Sequence, residues 1–581
     1  MSARELITEH LDLWTGAVTK KSSSGRGSNG KVELTGVKKL RELILELAVR
    51  GKLVSQGLPA ESSSALISGM EEEKARLVAS KRIKKPKAVN SVPQEDYPFD
   101  IPRGWSWHSL GALGYTQTGS TPAKSKNELF GDDIPFLKPG DISENGDICY
   151  DNEGLSEAGK AALGKWAERD SILMVCIGTI GKCGLIEQQC TFNQQINSIT
   201  PYIPETSQFL LLCLKSPYFQ DAAWEKSSST TISILNKGKW ESIPLPVPPL
   251  EEQHRIVQKV DELMALCDRL EQQTSDQLEA HETLVDTLLG TLTQSENTTE
   301  LADNWARLAA HFDTLFTSEQ SIDKLKQTIV QLAVMGRLVE QDEGDESALT
   351  LLNQISDEKY QLIAKGVVKK PKKLAPIQND EKRFKLPNGW AWARLDDVFI
   401  NIVDCPHSTP KFIEQGRLCL DTNSFKDGKL NQDRFRYVSD DTFEKRNARL
   451  QPRANDIVFA REGSVGESVV IPQELECCLG QRVMLFRPSR FSEPNFLRLT
   501  LSNPLALKVL LSLHKGIGAK HVNVGDMRKY VIALPPANEQ HWIMQKVSEL
   551  MALCDQLKER LNQASETRCQ LAETVIDKAL H

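Results

Sequence analysis

Apolar residues recur at helical spacing in two blocks of the chain. Within each block they alternate steps of four and three residues, the a/d pattern of a coiled coil. They are Ile256, Val260, Leu263, Cys267 and Leu270 in the first block, and Ile543, Val547, Leu550, Cys554 and Leu557 in the second. Prolines shortly before Glu251 and Asn538 favour a helix N-terminus at each place. The pattern predicts two helices, running to about Leu289 and about Leu580 and each approaching roughly 60 Å in length.

Two shorter amphipathic stretches predict helices that pack beside the long ones. They run from Leu40 to Leu53 and from Leu325 to Leu338. Their apolar seams are Leu40, Ile44 and Leu47 in the first and Leu325, Ile329 and Leu332 in the second. We interpret all of these seams as core, so the role of the helices is geometric.

The helical blocks belong to an internal repeat. Residues 37–56 match residues 322–341 at ten of twenty positions, and residues 251–270 match residues 538–557 at fifteen of twenty. Between them, residues 108–243 and 393–530 show almost no mutual similarity. A repeated framework therefore carries two divergent inserts.

The inserts show short apolar runs bounded by Gly, Pro, Asn and Asp, which is typical of strands and turns. Each insert also has one stretch that predicts a helix, Gln208–Trp224 in the first and Asn495–Leu513 in the second. Each is predicted to be a compact α+β domain of about 140 residues. Trp105, Trp107, Trp390 and Trp392 recur at framework positions, so we interpret them as anchors that pack each insert on its helices.

Charge changes this picture only when it is divided between the inserts. The net charge of the whole chain is −7, which by itself indicates no nucleic-acid or membrane partner. Residues 105–247 hold 11 Lys and Arg against 16 Asp and Glu, whereas residues 390–534 hold 21 against 17. The lysine runs at residues 81–87 and 369–373 are interpreted as solvated linker charge.

The cysteines and the first residues of the chain indicate a cytoplasmic protein. None of the 12 cysteines forms a C-x-x-C pair, and the histidines do not cluster with them at zinc-finger spacing, so we expect reduced thiols and no metal site. Cys267 and Cys554 occupy core positions of the helical seams and are expected to be buried. The first 30 residues lack the apolar region of a secretory signal, and no run of residues is long and apolar enough to span a membrane.

No motif for catalysis is found, so no catalytic residue is predicted. The nearest approach to a phosphate-binding P-loop has Cys176 where the first glycine belongs and Cys183 where Ser or Thr belongs. Every Pro-Pro pair is preceded by Val or Leu, so the tetrapeptide of an adenine methyltransferase is missing. No nucleophile elbow, zinc-protease helix or deaminase signature occurs either.

These features together resemble the specificity subunit of type I restriction-modification enzymes, and the resemblance covers nearly the whole chain. It is carried by PLPVPPLEEQHRIVQKVDELMALCDRLE, by ALPPANEQHWIMQKVSELMALCDQLKERL and by the paired inserts. The GSTP and HSTP stretches at residues 119–122 and 407–410 and the glycine turns at residues 178–181 and 463–466 add to it. The leader LDLWTGAVTKKSSSGRGSNGK is most like that of the IB subgroup.

The resemblance implies an α+β protein with two target recognition domains separated by two long antiparallel coiled-coil regions, in a pseudo-two-fold repeat. The predicted segments are an N-terminal helical region and linker at residues 1–95, the first recognition domain at 96–249, a central helical region at 250–380, the second recognition domain at 381–536 and a C-terminal helix at 537–581. Each recognition domain would read one half of an asymmetric, interrupted sequence of double-stranded DNA, and the helices would fix the gap between the halves.

The resemblance also implies partners. The helices would dock two methyltransferase subunits, and two restriction and translocase subunits would join in the full complex. S-adenosylmethionine, ATP and Mg²⁺ are expected on those partners, and no cofactor on this chain. The near-identity of the two helical blocks agrees with two copies of one partner.

Polar side chains in loops beside glycines are the candidates for DNA contact, because they supply the donors and acceptors of direct readout. In the first insert they are Gln117, Thr118, Ser120, Thr121, Lys124, Lys126, Lys138, Gln194, Gln195, Ser229, Thr230, Lys237 and Lys239. In the second they are His407, Ser408, Thr409, Lys411, Asn423, Arg461, Ser464, Gln481, Arg482, Lys515, Lys520, His521 and Asn523. Arg461 and Arg482 are candidate guanine readers, although pairing with Glu462 or phosphates explains them equally well.

Two other interpretations stay open at the level of sequence. One is a coiled-coil scaffold without sequence-specific DNA binding, and the other is a self-sufficient DNA-modifying enzyme. The excess of acids in the first insert further predicts weak DNA binding by the isolated chain, because sequence-independent affinity comes mainly from neutralised phosphates.

Overall fold

The computed structural model describes residues 10–17, 19–20, 32–55, 62–86, 92–123, 125–228, 232–295, 298–512 and 521–580. The chain divides into two compact units, Met1–Gln277 with Gln563–His581, and Leu278–Asn562. The first long helix begins in unit 1 and ends in unit 2, and the second does the reverse.

The described helices and strands follow the chain in this order. The α-helices are α1 Leu11–Gly16, α2 Thr35–Val49, α3 Ser64–Ala79, α4 Leu110–Leu113, α5 Glu157–Leu163, α6 Ser207–Lys215, α7 Pro217–Glu225, α8 Lys237–Glu241, α9 Leu250–Gln294, α10 Thr298–Ala310, α11 Phe312–Leu315, α12 Glu319–Val334, α13 Ala348–Ala364, α14 Leu395–Val398, α15 Asp440–Asn447, α16 Pro494–Ser502, α17 Pro504–Ser512, α18 Val524–Lys529 and α19 Ala537–Leu580. Short 3-10 turns lie at Gln94–Asp96, Asn127–Leu129, Pro139–Asp141, Pro204–Thr206, Asn379–Glu381 and Gln432–Arg434.

The strands of unit 1 are β1 Thr19–Lys20, β2 Val32–Glu33, β3 Ser106–Ser109, β4 Gly114–Thr118, β5 Phe130–Leu137, β6 Gly154–Leu155, β7 Ile172–Val175, β8 Cys183–Leu185, β9 Thr191–Phe192, β10 Ile196–Pro201 and β11 Pro244–Val247. Those of unit 2 are β12 Ala391–Arg394, β13 Phe399–Asp404, β14 Arg417–Leu420, β15 Phe425–Lys426, β16 Lys429–Leu430, β17 Arg436–Val438, β18 Ile457–Ala460, β19 Ser468–Val470, β20 Cys477–Leu479, β21 Val483–Pro488 and β22 Val531–Leu534. We call residues 106–247 domain 1 and residues 391–534 domain 2.

In unit 1, α2 packs by the seam that the sequence predicts. Leu40, Ile44 and Leu47 are buried in one core cluster with residues of α9 and of the last turns of α19. Full burial of such a side chain stabilises the fold by roughly 1.5–3 kcal/mol. On the outer side of the seam the Arg41 guanidinium binds the carboxylates of Asp268 and Glu271, each at 2.6 Å.

Unit 2 repeats this packing with the equivalent helices. Leu325, Ile329 and Leu332 of α12 are buried in one cluster with the end of α9 and the beginning of α19. Here Lys326 and Asp555 form the ion pair equivalent to that of Arg41 with Asp268. Both units therefore use the same seam and the same cross-helix charge pair.

Each domain is built on the same antiparallel sheet. Four strands lie in the order β4-β10-β7-β8 in domain 1 and β13-β21-β18-β19 in domain 2. A second, three-stranded sheet follows in each, β6-β5-β9 and β17-β14-β20. The first and last strands of each domain pair with each other, β3 with β11 and β12 with β22, and so close the domain next to the long helix that follows. The predicted α+β class is confirmed.

The prediction of one helix near the end of each insert is wrong. The first stretch is two helices, α6 and α7, with Ser216 extended between them (ψ 146°), and the second is α16 and α17, broken at Asn503 (ψ 151°). The breaks have one cause: Pro217 and Pro504 cannot continue a helix, and each forces the residue before it into an extended conformation. The long helices agree with their prediction within five residues, because α9 ends at Gln294 and α19 at Leu580.

The repeated tryptophans pack between sheet and helices within each unit. Trp105 meets the Phe209 ring edge-on at 6.3 Å and Trp390 meets Phe496 in the same way at 6.5 Å. The Trp390 indole Nε1 also donates to the Glu539 carboxylate at 2.8 Å. Burial raises the pKa of Glu539 although this hydrogen bond opposes the effect. These contacts agree with the interpretation of the tryptophans as anchors.

Candidate nucleic-acid interface

One edge of the main sheet in each domain brings together polar loops singled out in the sequence, with six of the thirteen candidates in domain 1 and ten of the thirteen in domain 2. Because the strands are antiparallel, the end of β4, the beginning of β10 and the end of β7 lie side by side, as Thr118 pairs with Asn197 and Val175 with Ile196. Domain 2 has the same register at β13, β21 and β18. We call the loops at these places edge 1 (residues 117–123, 176–182, 193–195 and 232–236) and edge 2 (residues 404–411, 461–467, 480–482 and 521–523).

The same hydrogen bond joins two loops at both edges. The Thr121 hydroxyl donates to the Gln194 side-chain oxygen at 2.5 Å in edge 1, and the Thr409 hydroxyl donates to that of Gln481 at 2.9 Å in edge 2. The Gln481 amide donates onward to the carbonyl of His407 at 2.8 Å. The threonine and glutamine that the sequence suggested separately are therefore one structural feature, present twice.

A glycine turn projects from each edge. Gly178 and Gly181 have φ of +84° and +107°, and Gly463 and Gly466 have +80° and +102°, a conformation that other residues rarely adopt. A Cβ placed on Gly178 or Gly463 would meet no atom within 4 Å. Both turns therefore offer backbone to an approaching ligand.

The other candidates of edge 1 are partly engaged within the domain. The Gln117 amide donates to the carbonyl of Trp166 at 2.8 Å, and the Thr118 hydroxyl donates to Asn197 at 2.7 Å. Ser120 and Gln195 are half-buried in the same loops.

The described candidate lysines of domain 1 lie around edge 1 rather than in it. Lys138 follows β5, next to the loop at Asn193, and its ammonium pairs with Glu153. Lys126 is exposed, Lys237 pairs with Glu241 at 3.0 Å, and Lys239 donates to the carbonyl of Lys226 at 2.9 Å. Three further predicted positions lie outside the described residues: Lys124, Ser229 and Thr230.

In edge 2 the two candidate guanine readers differ in access. Arg461 has only 13% of its side chain exposed, and its Nη1 lies 3.2 Å from Asp404, which also lies 3.3 Å from the His407 ring. Arg482 is 55% exposed, lies 3.5 Å from Glu462 and has φ of +67°. The structure therefore leaves Arg482 as the accessible guanidinium and ties Arg461 into its own domain.

The remaining candidates of domain 2 surround these arginines. Ser408, Lys411 and Ser464 are exposed on the loops of edge 2. Asn423 is exposed on the turn after β14, where its backbone N–H donates to Asp421 at 2.8 Å. His521 is opposite Glu462 in a strand-like bridge, and Asn523 begins α18. Lys515 and Lys520 lie outside the described residues.

Sequence reasoning missed the basic side chains that hold the first loop in place. Arg446 of α15 is buried and donates to the carbonyls of Ser408 at 3.1 Å and Pro406 at 3.2 Å, while Lys165 donates to that of Thr118 at 3.0 Å. Nothing in the polar stretch around Arg446 marks it as buried, so only the packing reveals its role.

The seams of the long helices are buried as far as the structure describes them. Ile256, Val260, Leu263 and Cys267 in α9, and Ile543, Val547 and Cys554 in α19, are at most 4% exposed. Leu270, Leu550 and Leu557 are half-buried. Burial raises the pKa of Cys267 to about 11, so this thiol stays protonated at neutral pH.

The described residues contain no group of three or more His, Cys, Asp or Glu that could hold a metal ion. None of their helices is long and apolar enough to cross a membrane.

Comparison with known proteins gives consistent matches. The family model described as "Type I restriction modification DNA specificity domain" matches residues 102–280 and 387–566. The chain is 35% identical to the EcoAI specificity subunit and 34% identical to the EcoEI specificity subunit, both type I restriction enzymes of Escherichia coli, over the full length of both chains in each case. A chain of a solved type I restriction-modification system is 18% identical, and the match covers 83% of this chain and 99% of that one with a TM-score of 0.48.

Proposed function

The chain belongs to the type I restriction-modification DNA specificity family, and we propose that its domains 1 and 2 each read one half of an asymmetric, interrupted DNA target. It is the sequence-recognition subunit of such a system and not the catalytic one, and its IB-like leader agrees with its relatives. Assembly with DNA and with other subunits of the system follows from this role.

The pair of edges is the observation that carries the proposal for two half-sites. Both edges keep the Thr–Gln hydrogen bond and the projecting glycine turn. At equivalent places around that scaffold the side chains differ, for example the half-buried Gln195 in edge 1 and the exposed Arg482 in edge 2. A common scaffold with different contact residues supports two readers of the same kind with different target bases.

The long helices support the rest of the arrangement. Several positions on their exposed face are identical in the two copies, although exposed positions have no packing reason to match: His254 and His541, Gln258 and Gln545, Glu262 and Glu549. We infer that they dock two copies of one methyltransferase subunit and set the gap between the half-sites. In the same proposal the recognition domains span residues 96–249 and 381–536, and the helical regions span residues 1–95, 250–380 and 537–581.

In this proposal the chemistry lies on the partners. The methyltransferase subunits carry S-adenosylmethionine and methylate adenine at the sites that this chain selects. Two restriction and translocase subunits add ATP- and Mg²⁺-dependent cleavage.

The test is methylome sequencing of cells that carry the chain with its methyltransferase partner. The measurement is repeated after residues 108–243, and separately residues 393–530, are replaced by the insert of another specificity subunit. We expect an interrupted motif in which one half changes with each replacement. If both halves survive either replacement, the domains do not read DNA in this way and a scaffold role is favoured instead.

A further inference from the structure

Edge 1 presents two isoleucines on one outward face. Ile177, in the glycine turn, and Ile234, in the loop before α8, are directly opposite in an antiparallel bridge. Residues opposite each other in such a pair point to the same side of the strands, with Cβ atoms about 4.5–5.5 Å apart. The neighbouring Cys176 and Leu235 are only 1% exposed, whereas Ile177 is half-buried and Ile234 is exposed, so the isoleucines lie on the outer side of the bridge.

The backbone holds this pair in place. The Leu235 N–H donates to the Cys176 carbonyl at 2.8 Å, and the Gly178 N–H donates to the Ser233 carbonyl at 3.0 Å. Ile234 keeps 41% of its surface exposed, and Ile232 on the same loop keeps 58%. Neighbouring exposed apolar side chains held by the backbone form a candidate binding surface.

The equivalent bridge in edge 2 is polar. Glu462 is opposite His521, and the Val522 N–H donates to the Arg461 carbonyl at 2.9 Å, as Leu235 does to Cys176. The backbone is thus common to both edges while the outward pair is apolar in one and polar in the other. Because the same backbone carries Glu462 and His521 in edge 2, the fold does not require isoleucine at this place. The isoleucines are therefore explained by a ligand that domain 1 contacts.

We propose that Ile177 and Ile234 contact the 5-methyl group of thymine in the half-site that domain 1 reads. This inference rests on the proposed function and adds a base preference to it. The pair lies on the same edge as Thr121 and Gln194, so it is continuous with the candidate interface. In the major groove the thymine methyl is the apolar feature of the base edges, and an aliphatic side chain recognises it by excluding water.

The test uses the full chain assembled with its methyltransferase subunits and duplexes of the target found by methylome sequencing. Each thymine of the half-site read by domain 1 is replaced in turn by uracil, which keeps the base pair and removes only the methyl. We expect at least one replacement to weaken binding about fourfold, the effect of burying one methyl-sized group. In Ile177→Ser and Ile234→Ser variants, that difference between thymine and uracil should disappear.

Two controls separate this proposal from the proposed function. Ile413→Ser changes an isoleucine of domain 2 that is equally exposed, at 40%, and should leave the thymine preference of the first half-site unchanged. Replacing thymine by uracil in the half-site that domain 2 reads should change the DNA-binding affinity of the parent chain and of the Ile234→Ser variant by the same factor.

Three results would overturn the thymine contact. They are a first half-site without a T·A pair, uracil replacement without effect, and a uracil effect that persists in the isoleucine variants. None of these results contradicts the proposal that each domain reads one half-site, because the insert replacement tests that proposal separately. Loss of methyltransferase binding by the variants, without any uracil effect, would assign the isoleucines to a protein contact and also reject the proposal.

Discussion

Domain 1 and domain 2 share their sheets, their closing strands and the geometry of their edges, but they differ in charge. Domain 1 owes its excess of acids to one segment: residues 124–170 hold 6 Lys and Arg against 11 Asp and Glu, and the rest of the domain is balanced. The corresponding residues 411–456 of domain 2 hold 10 against 8. Most of the contrast therefore lies in the second sheet and its loops, and the main sheet that forms the edge is common to both.

Electrostatic attraction and base reading are therefore separable in this protein. In the acidic segment Asp132, Asp133 and Glu144 are exposed, and in the basic one Lys426, Lys429 and Arg434 are exposed. Phosphate attraction should come mainly through domain 2, while both edges keep the scaffold for reading. Weak DNA binding by the isolated chain stays a prediction.

The largest expected effect is a loss of stability when the buried tryptophan that both units share is removed. Trp105→Ala and Trp390→Ala should each lower the free energy of unfolding by about 3–5 kcal/mol, because each removes a large buried side chain. The measurement is denaturant unfolding of the full chain followed by circular dichroism. Trp305→Ala, at a position 37% exposed, is the matched control and should cost far less. Unequal losses for the two buried tryptophans would show that the domains are not anchored alike.

A smaller effect is expected where the edges differ. Arg482→Ala should weaken binding to the target by about 1–3 kcal/mol and relax specificity at one position of the half-site that domain 2 reads. Arg461→Ala should instead destabilise edge 2, since its guanidinium is tied to Asp404. The check is competition binding by the complex with every single-base change in that half-site. Uniform weakening at all positions would make Arg482 a phosphate contact.

The smallest effect concerns charge alone. Lys411 is exposed, whereas the Lys138 ammonium already pairs with Glu153. Lys411→Gln should therefore lower the slope of log affinity against log salt concentration by about 1, and Lys138→Gln should change it much less. A salt titration of the complex with non-target DNA measures both slopes. Equal slopes for the two variants would contradict the unequal electrostatic roles of the domains.

Much of the fold follows from local pattern, and the exceptions have identifiable causes. The seams of α2, α9, α12 and α19 are visible because burial on one side of a helix repeats every three to four residues. The breaks at Ser216 and Asn503 were missed although the prolines after them are in the sequence, because the apolar pattern continues through both. Arg446 was missed because a buried arginine that binds carbonyl oxygens looks like any surface arginine in sequence.

The candidate site was recovered only in part. Loop composition identified Thr121, Gln194, Thr409 and Gln481 without showing that they form pairs. It favoured Arg461 and Arg482 equally, and the structure separates them by access. It overlooked Ile177 and Ile234, because an apolar residue in a strand-like stretch is usually core.

The sequence alone determined the repeat, the helical framework, the α+β class and the family resemblance, since each depends on residue identity or on spacing within a few turns. Which loops meet, in contrast, depends on the tertiary fold. Thr121 and Gln194, or Ile177 and Ile234, are dozens of residues apart in the chain and become neighbours through the register of antiparallel strands. That register depends on the packing of whole strands in the core, which no short stretch of sequence specifies.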